Sequence, residues 1–191
     1  MLSTSNIVLI LALIGSIALN ILFFSKSTSP EKLLQPSNDH EVEYAFSQLS
    51  NDPKTLLLNA IGESTSTIDI AIYNFEDPEI SEALIEASDR GVKVRVITDS
   101  EKSKKKNRAK LLNTLTDNGI DVKIVTSKKM HLKMTMVDER LVVFGSYNFT
   151  AESASENMEQ LVSISNINLV KEWTDVFEKV WHQSDTETWS K

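Results

Sequence analysis

The sequence predicts an α/β fold: a mostly buried β-sheet flanked by helices, with an N-terminal transmembrane helix in front of it. Three observations carry this. Short runs rich in Ile, Val and Thr alternate with longer stretches whose apolar residues recur at helical spacing. Helix-start and helix-stop residues stand between them. The first 25 residues are apolar enough to form a segment of their own.

Taken in order, Ile7–Phe24 is apolar except for Gly15, Ser16 and Asn20. Eighteen helical residues rise roughly 27 Å, about the depth of a bilayer core. Residues 1–25 are therefore expected to be an uncleaved, single-pass membrane anchor. The rival is a signal peptide that leaves a secreted protein, but a basic leading segment and a clear small-residue cleavage site are both missing. Residues 26–39 are rich in Ser, Pro and polar groups and read as a linker. Residues 40–191 form the globular domain. There, Glu43–Ser47 reads as a strand, Pro53–Ile61 as a helix and Thr67–Phe75 as a strand. Asp77 and Pro78 supply an N-cap and a first-turn proline for a helix ending at Gly91. Val92–Thr98 is a strand, Lys104–Asn118 a basic helix closed by Gly119, and Asp121–Val125 a strand. The next element is a hairpin over residues 131–144. Met158–Ile164 is a strand carrying Glu159. Asn168–Trp181 is an amphipathic helix with Val170, Trp173, Phe177 and Trp181 on one side. No internal repeat is present.

The hairpin gathers the reactive groups. Strand side chains alternate, so Leu132, Met134 and Met136 are expected to face a core while His131, Lys133 and Thr135 share the other face. Asp138-Glu139-Arg140 reads as a tight turn and Leu141–Phe144 as a buried return strand. Gly145 ends that strand and lets backbone approach a ligand. Ser146 and Asn148 have the same parity, and the hairpin would carry both back towards His131 and Lys133. Imidazole titrates near neutrality and can serve as nucleophile, base or acid. Lysine places a compact positive charge on phosphate oxygens, and Ser and Asn donate to oxygens whose charge grows in the transition state. Glu159 can accept from a ring nitrogen and fix the tautomer. A lone His on a strand is ordinarily structural and a lone Lys a solvated group; gathered together on one hairpin, the set can hold a phosphodiester and attack it. Asp138 reads as structural support for the turn, because Asp in turns caps backbone amides.

Net charge is −7, yet its distribution is uneven. Between Lys102 and Lys133 stand ten Lys and Arg against two Asp, a local +8 that leaves −15 for the rest. Lys104, Lys105, Lys106, Arg108, Lys128 and Lys129 are candidate contacts for nucleic acid or an anionic lipid. Cysteine is absent, which excludes disulfides and Cys-based zinc sites. His40 and His182 read as surface groups. No carboxylate–histidine cluster has metal-ligand spacing, so a reaction without metal or cofactor is expected.

His131, Lys133, Asp138, Gly145, Ser146 and Asn148 together resemble the phospholipase D superfamily signature HxK(x)4D(x)6GSxN, complete at every spacing. Glu159 resembles the downstream glutamate of the small, single-motif bacterial nuclease branch, and Ser66–Phe75 resembles the family's early core strand. The similarity covers about residues 42–183. It implies a phospholipase D-like sheet and a phosphodiesterase working through a covalent phosphohistidine. It also implies two histidines, one attacking phosphorus and one protonating the leaving oxygen. This chain supplies one suitable His, so a homodimer with a two-fold axis through a shared site is expected. In it, Lys133 and Asn148 of both subunits hold the phosphate, Ser146 adds a hydrogen bond and Glu159 orients its histidine. A metal-independent endonuclease on DNA or RNA is the leading expectation. The alternatives are hydrolysis of a cardiolipin-like phospholipid and a non-catalytic phosphate-binding scaffold.

Overall fold

The computed structural model describes residues 42–190. The expected anchor, the linker and His40 lie outside these residues. Among the described residues no helix is long and apolar enough to cross a membrane.

Eight strands form one mixed sheet: β1 (Val42–Phe46), β2 (Thr67–Ile72), β3 (Lys93–Asp99), β4 (Asp121–Val125), β5 (Lys133–Val137), β6 (Leu141–Gly145), β7 (Gln160–Ser165) and β8 (Thr186–Thr188). Their spatial order is β1-β7-β6-β5-β2-β3-β4-β8. β2, β3 and β4 run parallel. The other neighbours are antiparallel. The helices are α1 (Pro53–Gly62), α2 (Pro78–Asp89), α3 (Ser100–Ser103), α4 (Lys106–Asp117), α5 (Ala151–Ser155) and α6 (Ile167–His182).

Local chemistry explains the well-formed starts. Asp52 and Asp77 each cap a helix whose first residue is proline, and each carboxylate accepts two backbone N–H bonds. Gly91 and Gly119 take positive φ at the chain reversals after α2 and α4.

Both faces of the sheet are covered, which is why β2 is buried along nearly its whole length. Ile68, Ile70 and Ile72 join Leu57, Leu84 and Leu112 from α1, α2 and α4 in one cluster. Ala71 and Ile97 face the other way, with Met134, Met136, Val170, Phe177 and Trp181. α6 is tied to that face by Arg95, which pairs with Asp69 on β2 (2.7 Å) and Glu178 on α6 (2.6 Å).

Several expectations need correction. The basic helix expected over Lys104–Asn118 forms as α4 but starts two residues later, after Lys105, whose side chain makes no cap bond, and the separate short helix α3 precedes it. The Met158–Ile164 strand starts only at Gln160, leaving Glu159 just ahead of it. β2 ends at Ile72, so Tyr73 lies past the strand. Leu132 is not a core residue: β5 begins at Lys133, alternation does not extend to Leu132, and its side chain is 40% exposed.

Candidate active site

The signature residues other than Asp138 collect at the carboxyl ends of β2 and β3, where β5 enters the sheet and β6 leaves it; Ile72 pairs with Lys133. Open α/β sheets commonly bind ligands outside the carboxyl ends of their strands.

The β5–β6 turn shows why the hairpin forms. Asp138 and Glu139 both adopt left-handed backbone, with φ of 53° and 54°, as a tight hairpin requires. The Asp138 carboxylate accepts from the N–H groups of Thr65, Ser66 and Thr67 and from the hydroxyls of Thr65 and Ser66, at 2.7–3.0 Å. Burial alone would push its pKa up; these donors outweigh it and hold the carboxyl well below the usual range. Asp138 thus anchors the turn to the chain entering β2, at the opposite end of β5 from His131.

At that other end, His131 is exposed but fixed by its neighbours. The N–H of Met130 donates to the buried Asp99 carboxylate (3.0 Å), and the N–H of Tyr73 donates to the Leu132 carbonyl (2.9 Å). The imidazole packs on the Tyr73 ring, centroids 4.3 Å apart. Its Nδ1 lies 3.4 Å from the Lys133 ammonium, so Nε2 is the nitrogen left for an incoming phosphorus. Partial desolvation, then the charge of Lys133 and Lys129, lowers the His131 pKa; Asp99 opposes this and Lys102 adds to it. Desolvation likewise lowers the Lys133 pKa, with Glu159 raising it and Lys129 lowering it.

Gly145, Ser146, Asn148 and Glu159 make a second group. At Gly145 any side chain would collide with the Gln160 carbonyl on β7. The close approach that this glycine permits is to a neighbouring strand. Ser146 donates a very short hydrogen bond to Glu159, and its hydroxyl accepts from the Gln160 N–H (3.1 Å). Glu159 also accepts from Ser153 and Asn157, both at 3.2 Å. It makes no bond to His131 of its own chain, contrary to the expectation that it would orient that ring. Ser153, not singled out in the sequence, completes the group by accepting from the Asn148 N–H (3.2 Å). The Asn148 side-chain oxygen is buried and has no partner among the described residues.

The basic candidates separate. Lys104, Lys105 and Lys106 are exposed where α3 passes to α4, and Lys128 and Lys129 are exposed on the loop before His131. Arg108 is not a surface contact. It is buried and pairs with Glu76 at 3.0 Å. Its position with Leu111, Leu112 and Leu115 at helical spacing puts it on the core stripe of α4, a signal the sequence carried and the charge count overrode. Two further residues escaped the sequence reading. Tyr73 contacts His131, and Lys102 places its ammonium 5.0 Å from the Tyr73 ring centre. Their signal was position: each ends or follows a strand next to the reactive hairpin.

Comparisons with known proteins agree with this geometry. Residues 57–181 match the family model described as "Cardiolipin synthase, PLD-like domain". The chain is 28% identical to a mitochondrial cardiolipin hydrolase of Chlamydomonas reinhardtii, over 70% of this chain and 60% of that one. It is 33% identical to a phospholipase D of Rickettsia conorii, over 61% of this chain and 58% of that one. The chain thus spans about 60% of the length of these curated relatives. Among solved structures, Nuc of Salmonella typhimurium, a phospholipase D family member, superposes with a TM-score of 0.73 at 26% identity, covering 78% of this chain and 98% of that one. With the complete signature at one end of a mixed sheet and the family model matched across most of the domain, the chain belongs to the phospholipase D superfamily.

Proposed function

We propose that the protein is a phosphodiesterase, and specifically a metal-independent endonuclease acting on DNA or RNA through a phosphohistidine at His131. The observation that carries this is the exposed His131 beside the half-buried Lys133, with Nε2 free, in a cluster of ammoniums that form no ion pair among the described residues.

The chemistry requires two imidazoles, and a two-fold dimer supplies them. Nε2 of one neutral His131 attacks phosphorus; the P–N bond forms as the P–O bond breaks. The partner subunit's His131, protonated, gives its proton to the leaving oxygen. Now neutral, that ring takes a proton from water, whose oxygen attacks phosphorus and releases the first histidine. Lys133 and Asn148 of both subunits hold the non-bridging oxygens, the asparagine as a donor through its side-chain NH₂. Ser146 holds Glu159. Since Glu159 does not meet the His131 of its own chain, the imidazole it orients is the one the second subunit presents.

Nucleic acid is favoured by the exposed Lys104, Lys105, Lys106, Lys128 and Lys129 around the same end of the sheet. One observation favours a cardiolipin-like phospholipid: Leu132, next to His131, is 40% exposed, on a chain with an expected anchor at residues 7–24 and relatives named cardiolipin hydrolase. Single-stranded DNA, duplex DNA, RNA and cardiolipin vesicles assayed together, with chelator and with the His131→Ala protein, test the proposal. Nucleic-acid cleavage that survives chelation and vanishes in His131→Ala is expected. Cleavage confined to vesicles contradicts the nuclease reading, and full activity of His131→Ala contradicts the site.

A further inference from the structure

Tyr73 is the centre of an arrangement that cleaving a lone diester does not require. The ammoniums of Lys102, Lys129 and Lys133 lie 5.0, 5.2 and 5.3 Å from its ring centre, and the His131 ring packs on it at 4.3 Å. None of the three lysines forms an ion pair among the described residues. The electron-rich ring face offsets part of their mutual repulsion and Glu159 bears on Lys133 from beyond ion-pair distance, but no carboxylate among the described residues contacts any of the three ammoniums.

The cluster is built rather than accidental. Asp99, 4% exposed, accepts through Oδ1 from the N–H of Lys102 (3.0 Å) and through Oδ2 from the N–H of Met130 (3.0 Å). One buried carboxylate therefore fixes both segments that carry the flanking lysines, α3 and the loop leading to His131. Its own charge is turned to backbone donors rather than to the ammoniums. Lys133 belongs to the reacting phosphate. Lys102 and Lys129 exceed what one phosphate needs. Beyond Lys129 the surface continues as a groove of about 260 Å³ whose walls include Ser100, Thr126, Ser127 and Lys128, with the carboxylates of Asp99 and Glu101 on the α3 side. Val125 is the sole apolar residue lining it. Such a polar wall suits the sugars that join phosphates and does not suit acyl chains.

We propose that Tyr73, Lys102 and Lys129 form a second phosphate subsite beside the scissile one, so that the substrate is a nucleotide chain offering a neighbouring phosphate rather than an isolated diester. This rests on the reading of His131 and Lys133 as the diester site, and it is tested by binding so that the two can fail separately.

The test uses the His131→Asn protein, which cannot turn over its ligand, and titration calorimetry. The ligands are thymidylyl-thymidine without a terminal phosphate, with a 5′-phosphate and with a 3′-phosphate. One of the two phosphorylated forms is expected to bind at least about tenfold tighter than the unphosphorylated one, the scale of a charge-assisted contact. Adding Lys102→Gln, or in a separate protein Lys129→Gln, should shrink that advantage to about threefold or less. Each should also flatten the dependence of log affinity on log salt by about 0.7, one phosphate contact on a single strand. Lys179→Gln, on the exposed side of α6, should leave the advantage intact. Equal binding of all three ligands overturns the subsite, as does an advantage that persists in both lysine variants. An advantage seen only for the water-soluble head group of deacylated cardiolipin overturns the nucleotide assignment. If wild-type protein cleaves no diester while the advantage and its loss are observed, the phosphodiesterase reading fails and the subsite stands.

Discussion

The most demanding test of the structural side is Asp138→Asn. The wild-type carboxylate takes three bonds on Oδ1, from Ser66 N–H, Ser66 hydroxyl and Thr67 N–H, and two on Oδ2, from Thr65 N–H and its hydroxyl. Asparagine keeps an oxygen at one position and puts an NH₂ donor at the other, facing donors. Two charge-assisted bonds at about 1.5 kcal/mol each are lost, a destabilisation of about 3 kcal/mol. For a domain of this size that is roughly 6–12 °C in Tm. The pH dependence follows from the depressed folded-state pKa. The carboxylate's contribution is complete above its unfolded value of about 3.9 and is lost as pH falls through the folded value. Urea titrations followed by circular dichroism should therefore give a constant gap between wild type and Asp138→Asn from pH 7 to about pH 5, closing below about pH 4. Because Asp138 sits at the far end of β5 from His131, kcat measured well below the variant's Tm should stay within about threefold of wild type. A gap under about 1 kcal/mol at pH 7, or a hundredfold loss of kcat in a folded variant, would refute the reasoning.

Arg108→Ala should cost about 3 kcal/mol, because it strips Glu76 of its buried partner, and should leave the salt dependence of nucleic-acid affinity unchanged. Lys105→Ala should do the reverse, keeping stability and flattening the salt slope by roughly 0.7–0.9; urea titration and binding at several salt concentrations check both, and a flattened slope in a stable Arg108→Ala protein would return that arginine to the interface. Lys129→Gln removes one of the positive neighbours that lower the His131 pKa, so the acid limb of the kcat/KM profile should move to higher pH; a shift to lower pH contradicts the electrostatic account. Gly145→Ala should destabilise by a few kcal/mol through its collision with the Gln160 carbonyl, seen as a lower urea midpoint with an unchanged slope.

What the sequence revealed was what is locally encoded. The Asp-Pro starts of α1 and α2, the alternation of β5 and β6 and the fixed spacing of the signature depend on neighbours within a few residues. β8 did not announce itself, because three residues become a strand only by pairing with β4 from more than sixty positions away. Charge counting misplaced Arg108 because a linear tally ignores the helix face. Leu132 was put in the core because alternation was extended past the point where β5 begins. Glu159 was joined to His131 because both are reactive, whereas folding places it among Ser146, Ser153 and Asn157. Tyr73 and Lys102 were passed over because their meaning lies in a contact made by three separated segments.

The shared-histidine mechanism is tested most directly by the stoichiometry of the covalent intermediate. Wild-type protein mixed with an excess of radiolabelled oligonucleotide and quenched in alkali within milliseconds should carry label on His131 alone, approaching one phosphoryl group per two chains. Label approaching one per chain, or carried by any other residue, would contradict the account.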